Sequence, residues 1–215
     1  MKSKKNHQFI SGGEAVVKCL KRENVKYVFG LIGSATMEIF DALYNNKKIR
    51  YIGVRDERTG THIADGYARA SGNAGIIIAG QNGPGATNLT TGLAQAYKAH
   101  SAVISLAGDI ANDHKGKDTF QEIDQHSLFE PITKKTFSIK KTSAISKIIS
   151  EAFKISLSGR KGPVHINLPR DTLSKKIIFN EFKNNEKIKS KTIHKSKILE
   201  IISVLSNSKK PVIIA

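Results

Sequence analysis

One side chain whose type and position could serve proton chemistry is a glutamate in RDERTGTHIADGYARA, Arg55 to Ala70. Glu57 falls just after an apolar run, Ile49 to Val54, and just before a helical pattern. That position sets a carboxyl at the mouth of a sheet, where parallel α/β proteins keep their ligands. The plain alternative is a carboxylate complementing the positive end of a helix, an effect of about 0.3–1 kcal/mol. His62 and Asp65 follow at helical spacing and read as helix-surface or packing residues.

Three further segments are unusual. GLIGSA, Gly30 to Ala35, lacks the G-x-G-x-x-G spacing of a dinucleotide fingerprint, and a glycine-permitted turn explains it equally well. GQNGPGATN, Gly80 to Asn88, packs glycines, Pro84, Asn82, Thr87 and Asn88 into what reads as a tight turn whose backbone can approach a ligand closely. No Gly-Lys-Ser/Thr follows, so it is not a P-loop. The stretch AGDIANDHKGKDTFQEIDQHSLFEPITK is long for a connection, and loops beyond about 12–15 residues are usually functional or disordered.

The elements that must position these loops alternate between short apolar runs and amphipathic stretches, the pattern of a parallel sheet flanked by helices. Helices are expected over 11–23, 36–44, 59–71, 88–99 and 143–157. Strands are expected over 27–32, 49–54, 74–79, 102–107 and 164–168, with 135–139 as an edge strand. Ser11 is available as a cap for the first helix, with Glu14 three residues on. The fold class is α/β: a three-layer sandwich with a mostly parallel sheet of about six strands. A lysine- and asparagine-rich linker over 173–195 follows, then a helix and a strand, 196–215, that read as the start of a second α/β domain.

Composition narrows the function. The 215 residues carry a net charge of +17, which by itself suggests an anionic partner. Much of the excess lies outside the motif-bearing body: Leu173 to Ala215 holds ten lysines against three glutamates, and Lys2, Lys4 and Lys5 stand in a basic tail over 1–7. These lysines lack the interleaved aromatics that stack bases, so a solvated surface is the reading and nucleic-acid binding is not. The one cysteine, Cys19, sits among Val16, Val17 and Leu20 as a small hydrophobe, which suits a reducing cytoplasm. No apolar run approaches a membrane span of about 20 residues.

Taken together, YVFGLIGSA, RDERTGTHIADGYARA, GQNGPGATN, FQEIDQHSLFEPITK and GPVHINLPRD, in this order and spacing, resemble the N-terminal pyrimidine-binding domain of thiamine diphosphate enzymes, of the acetolactate synthase and sulfoacetaldehyde acetyltransferase group. The resemblance runs over 8–172. It implies that Glu57 hydrogen-bonds a ring nitrogen of the cofactor's aminopyrimidine, in an enzyme that decarboxylates a 2-keto acid and ligates the two-carbon unit. A carboxyl sharing a proton in this way belongs in a dry site. The resemblance also places Gly33, Ser34, Asn82, Gly83, Pro84 and Asn88 at the cofactor, and Phe120 and Gln121 near the substrate, reaching in from a neighbouring subunit's side. It implies a homodimer or homotetramer. Magnesium and the diphosphate fall to a C-terminal region or separate subunit that carries Gly-Asp-Gly and Asn. Gly108-Asp109-Ile110 only echoes that motif, so these residues are assigned no metal site. FAD, carried by many acetolactate synthases, is a further cofactor that the resemblance allows. Asp56, Arg58 and Asn82 stand where those enzymes commonly have His, Gln and Ser. The loops GLIGSA and GQNGPG look more like sulfoacetaldehyde acetyltransferase, which makes acetyl phosphate. A non-catalytic module on the same fold, with Glu57 merely capping a helix, is the reading from another class.

Overall fold

The structure is a computed structural model that describes residues 9–180, 182 and 193–213. The chain divides into two compact units, 1–184 and 185–215.

The first unit opens with β1 (Phe9–Ser11) and α1 (Gly12–Arg22). Ser11 caps α1 through a capping box: its hydroxyl accepts from the Glu14 amide at 3.2 Å, and the Glu14 carboxylate accepts from the Ser11 amide at 2.8 Å. Then come β2 (Tyr27–Gly30), α2 (Met37–Tyr44), β3 (Arg50–Gly53), α3 (Glu57–Ser71) and β4 (Gly75–Ala79). The sequence GPGATN forms a short helix, α4 (Gly83–Asn88), ahead of α5 (Thr90–Lys98) and β5 (Val103–Asp109). After the long loop come α6 (Gln125–Phe129), β6 (Lys135–Ser138), α7 (Ile145–Leu157), β7 (Val164–Pro169), α8 (Arg170–Ser174) and β8 (Lys176–Ile178).

Six strands form one parallel sheet in the order β3-β2-β4-β5-β7-β6, with β6 at an edge as its sequence suggests. The central strands alternate between two apolar layers. Ile76 and Ile78 of β4 face a core shared with α1, α2 and α7, whereas Ile77 and Ala79 face a second core with α3 and α5. Strands covered on both faces must be apolar throughout, which is why β4 reads GIIIA without polar alternation.

Three local features differ from the sequence expectation. The GQNGPGATN segment is helical from Gly83, not a simple turn: Pro84 presets the φ of a first helical turn, and Gly83 and Gly85 are buried. Helix α3 starts two residues earlier than expected, because Asp56 caps it by accepting from the amides of Arg58 at 2.7 Å and Thr59 at 3.2 Å. In the segment read as linker, Leu173 is fully buried, and β8 pairs antiparallel with β1 in a two-stranded sheet.

In the second unit, α9 (Lys195–Ser206) carries Ile198, Leu199, Ile202 and Leu205 at helical spacing. The strand expected at 211–215 is not seen over 211–213, which have no regular structure, and the described residues of this unit offer no second strand to pair with it. Ile214 and Ala215, the basic tail over 1–7 and residues 181 and 183–192 of the linker lie outside the described residues.

Candidate functional site

The sheet order decides where a ligand can enter. From β2 the chain moves outward to β3, then returns to lay β4 on the other side of β2. The connection after β2 leads to α2 on one face, and the connection after β4 leads to α4 and α5 on the other. The loops therefore part at the carboxyl-terminal ends of β2 and β4, leaving the crevice in which open α/β sheets bind ligands.

Glu57 lies at that crevice. It is the first residue of α3, yet its side chain does not cap that helix, since Asp56 does. Its carboxylate crosses instead to the end of β4. Oε1 accepts from the Gly80 amide at 3.2 Å, and Oε2 accepts from Asn88 Nδ2 at 3.0 Å. One turn along α3, the Thr61 hydroxyl donates to the main-chain carbonyl of Glu57 at 2.7 Å. Only 3% of Glu57 is exposed. Burying this carboxyl costs its desolvation, which the two donated bonds from a different loop offset.

The glycines explain why the loops fit so closely. A Cβ on Gly85 would stand 2.9 Å from Glu57 Oε1, and one on Gly33 would stand 2.2 Å from the Gly80 carbonyl. The first loop is stitched to the third: the Ala35 amide donates to Gly80 O at 3.3 Å, Thr36 Oγ1 to Ala79 O at 3.0 Å, and Ser34 Oγ to Gln81 Oε1 at 3.1 Å. Gly33 and Ser34 are thus brought beside the residues that hold Glu57. Asn82 precedes α4, and its carbonyl accepts from Ala86; Pro84 is exposed on the first turn.

The long loop contributes through its backbone. Gln121 has φ 64°, and its carbonyl accepts from the Gly83 amide at 3.1 Å. The Phe120 side chain is 84% exposed at the same end of the sheet.

Three polar groups have surroundings that their residue types do not reveal. Gly80 supplies a donor to Glu57 through its main chain, which no residue-type argument detects. Asp65 is buried: desolvation pushes its carboxyl up, but hydrogen bonds from Arg69, Ser101 and Gln95 outweigh that and hold it below the usual range. On β7, fully buried His165 stacks on Phe129 and bridges Ser105 and Asn167 at 2.8 Å each. With the Asn167 carbonyl oxygen facing Nε2, that nitrogen carries the proton and Nδ1 accepts from Ser105.

Residues 10–128 match the family described as "Thiamine pyrophosphate enzyme, N-terminal TPP binding domain". Among similar proteins, a probable acetolactate synthase large subunit of Methanocaldococcus jannaschii is 42% identical over 212 residues, covering 96% of this chain and 36% of the relative. The acetolactate synthase large subunit of Lactococcus lactis is 37% identical, covering 100% of this chain and 38% of the relative. The acetolactate synthase isozyme 3 large subunit of Escherichia coli is 37% identical, covering 96% of this chain and 37% of the relative. The chain thus spans a little over a third of the length of the curated relatives it matches. Its six-stranded parallel sheet and this match agree: the chain belongs to the family of N-terminal thiamine diphosphate-binding domains.

Proposed function

We propose that this chain is the pyrimidine-binding part of a thiamine diphosphate-dependent enzyme of acetolactate synthase type, acting on a 2-keto acid, with Glu57 as the residue that hydrogen-bonds the cofactor's aminopyrimidine. The observation that carries this is the Glu57 carboxyl, buried at the crevice and aimed away from its own helix by Gly80 and Asn88. A helix-capping role, which would suit a non-catalytic module, is already filled by Asp56.

The donor set fits an aminopyrimidine edge: a buried carboxyl can exchange a proton with a ring nitrogen, and Gly85 keeps the space beside Oε1 open. When bound, thiamine diphosphate supplies a carbon acid and an electron sink for decarboxylation. These residues fix the carboxyl in place and keep bulk water from it, while Gly33, Ser34, Asn82, Gly83 and Pro84 line the approach. Among the described residues no group of three or more His, Cys, Asp or Glu could hold a metal ion. Following the resemblance, we assign magnesium and the diphosphate to residues other than these, and no part of this chain is assigned to FAD.

The likeness to large subunits supports an assembly. Exposed Ile32, Met37 and Phe120 stand at the carboxyl-terminal end of the sheet, 61%, 54% and 84% exposed, a surface suited to a second copy in a homodimer. Among the described residues no helix is long and apolar enough to cross a membrane, and we place the protein in the cytoplasm.

Calorimetric titration tests the division of labour: the 215-residue chain alone binds thiamine diphosphate with magnesium weakly. Glu57→Gln in the full-length enzyme lowers turnover by at least about 100-fold, the usual scale of a lost proton-transfer group. Unchanged turnover would sink the assignment.

A further inference from the structure

Residues 110–124 connect β5 to α6 at the carboxyl-terminal end of the sheet, and one of them reaches the Glu57 group. The Gln121 carbonyl accepts from the amide of Gly83, the first residue of α4, at 3.1 Å. The last residue of that short helix, Asn88, donates to Glu57 Oε2. The contact at Gly83 is tight, since a Cβ there would stand 2.6 Å from the Gln121 carbonyl oxygen. Whatever places Gln121 therefore bears on the helix that grips the carboxyl.

Gln121 needs outside support to stay where it is. Its φ of 64°, with 51° at Asp118, is left-handed backbone that non-glycine residues keep where surrounding bonds impose it. Two charged side chains supply those bonds. Lys115 Nζ donates to Asp109 Oδ2 at 2.6 Å, and Asp109 is 4% exposed at the end of β5, so an ion pair fastens the loop to the sheet. The next residue, Gly116, donates its amide to Glu122 Oε1 at 2.7 Å, and the Thr119 amide donates to Glu122 Oε2 at 3.3 Å. Glu122 thus draws the two sides of the loop's tip together, directly beside Gln121. An ionised acceptor makes such bonds stronger than neutral ones. Asn112 on Asp171 and Gln125 on the Gly108 carbonyl fix the two ends of the loop, not its tip.

We propose that Lys115 and Glu122 are positioning residues: they brace the loop so that Gln121 holds α4 and, through Asn88, the Glu57 carboxyl. The proposal rests on the reading of Glu57 as the residue that meets the cofactor. The carboxyl takes its own hydrogen bonds from Gly80 and Asn88, so Lys115 and Glu122 act on it through the loop backbone.

The test is amide hydrogen exchange by NMR on the 215-residue chain, with turnover of the full-length enzyme beside it. In Glu122→Ala, a change at a half-buried loop position, the Gly83 and Gly80 amides should exchange at least about tenfold faster, while those of Ile77 and Ile104 in the sheet keep their parent rates. Lys115→Met should do the same. Lys115→Arg keeps the cation at a site that uses a single hydrogen bond, and should stay within about twofold of the parent. Because Lys115→Met leaves a buried carboxylate without its cation, Glu122→Ala carries the test if that variant fails to fold. In the full-length enzyme Glu122→Ala should lower turnover about tenfold at saturating thiamine diphosphate. Unchanged exchange at Gly83 and Gly80 overturns the brace. Faster exchange with undiminished turnover overturns it too: an inactive Glu57→Gln enzyme measured in parallel then places the failure in the brace, and a fully active one places it in the reading of Glu57.

Discussion

Gly85 separates stability from function more sharply than any other residue in the Glu57 group. In Gly85→Ala the new methyl carbon meets the far end of a flexible side chain, Glu57 Oε1 at 2.9 Å, and not backbone. The carboxylate must swing away from Gly80 or Asn88, a loss of about 1–3 kcal/mol for a buried group, against the roughly 1 kcal/mol by which alanine favours a helix over glycine. The variant should unfold in urea within about 2 kcal/mol of the parent chain, yet lose at least about tenfold in turnover in the full-length enzyme, because Glu57 no longer points where it did. An intact turnover number would show that the carboxyl's position is not used. His165 makes a different prediction. Burial, only partly opposed by the hydrogen bond to Asn167, lowers its pKa from 6.5 to about 3. The folded state holds this imidazole neutral while the unfolded chain protonates it below 6.5, so the unfolded state binds more protons throughout that window. Stability from this group is present above pH 6.5 and is lost as pH falls toward 3. Urea midpoints measured between those limits should decline with falling pH, and NMR should show the ring neutral at pH 5; a ring that titrates near 6.5 in the folded chain would contradict the burial seen here.

Helix α1 joins most of the first unit together, because it packs beside α2 and α7 on one face of the sheet and its first turn is fixed by Ser11. The capping box was visible in the sequence as Ser11 and Glu14 three apart, and it forms as expected. Ser11→Ala should cost about 1 kcal/mol in urea unfolding, the usual value of a lost N-cap. Elements with one strong periodicity were legible in this way. The three loops were legible only in part. Glu57 was placed correctly between strand and helix, but its neighbours Asp56 and Gly80 changed its meaning: the first took over the cap, and the second drew the carboxyl across to β4. The helix at Gly83 was hidden because glycine and proline read as turn residues, and only the close packing of the Gln121 carbonyl on Gly83 shows why glycine is needed inside a helical turn.

The first unit has all the parts of an independently folding domain: a six-stranded sheet with a separate apolar core on each face, within the common size range of domains. A chain ending at Asn184 should therefore unfold in a single cooperative transition, with calorimetric and van't Hoff enthalpies in agreement. A broad, non-cooperative melt would show that the remaining residues are needed for folding. The amino-acid sequence alone determined the α/β class, the chain order of the six sheet strands and the longer helices between them, the apolar faces and the place of Glu57 between a strand and a helix, since each of these follows from periodicity or residue type over a few positions. It could not determine that β4 returns to lie beside β2, nor that Gly80 and Asn88 thereby meet a carboxyl 23 and 31 residues away in the chain. Those contacts depend on strand order, which is set by how helices cover both faces of the sheet. Only the folded sheet turns a glutamate at a helix start into a buried carboxyl at a crevice.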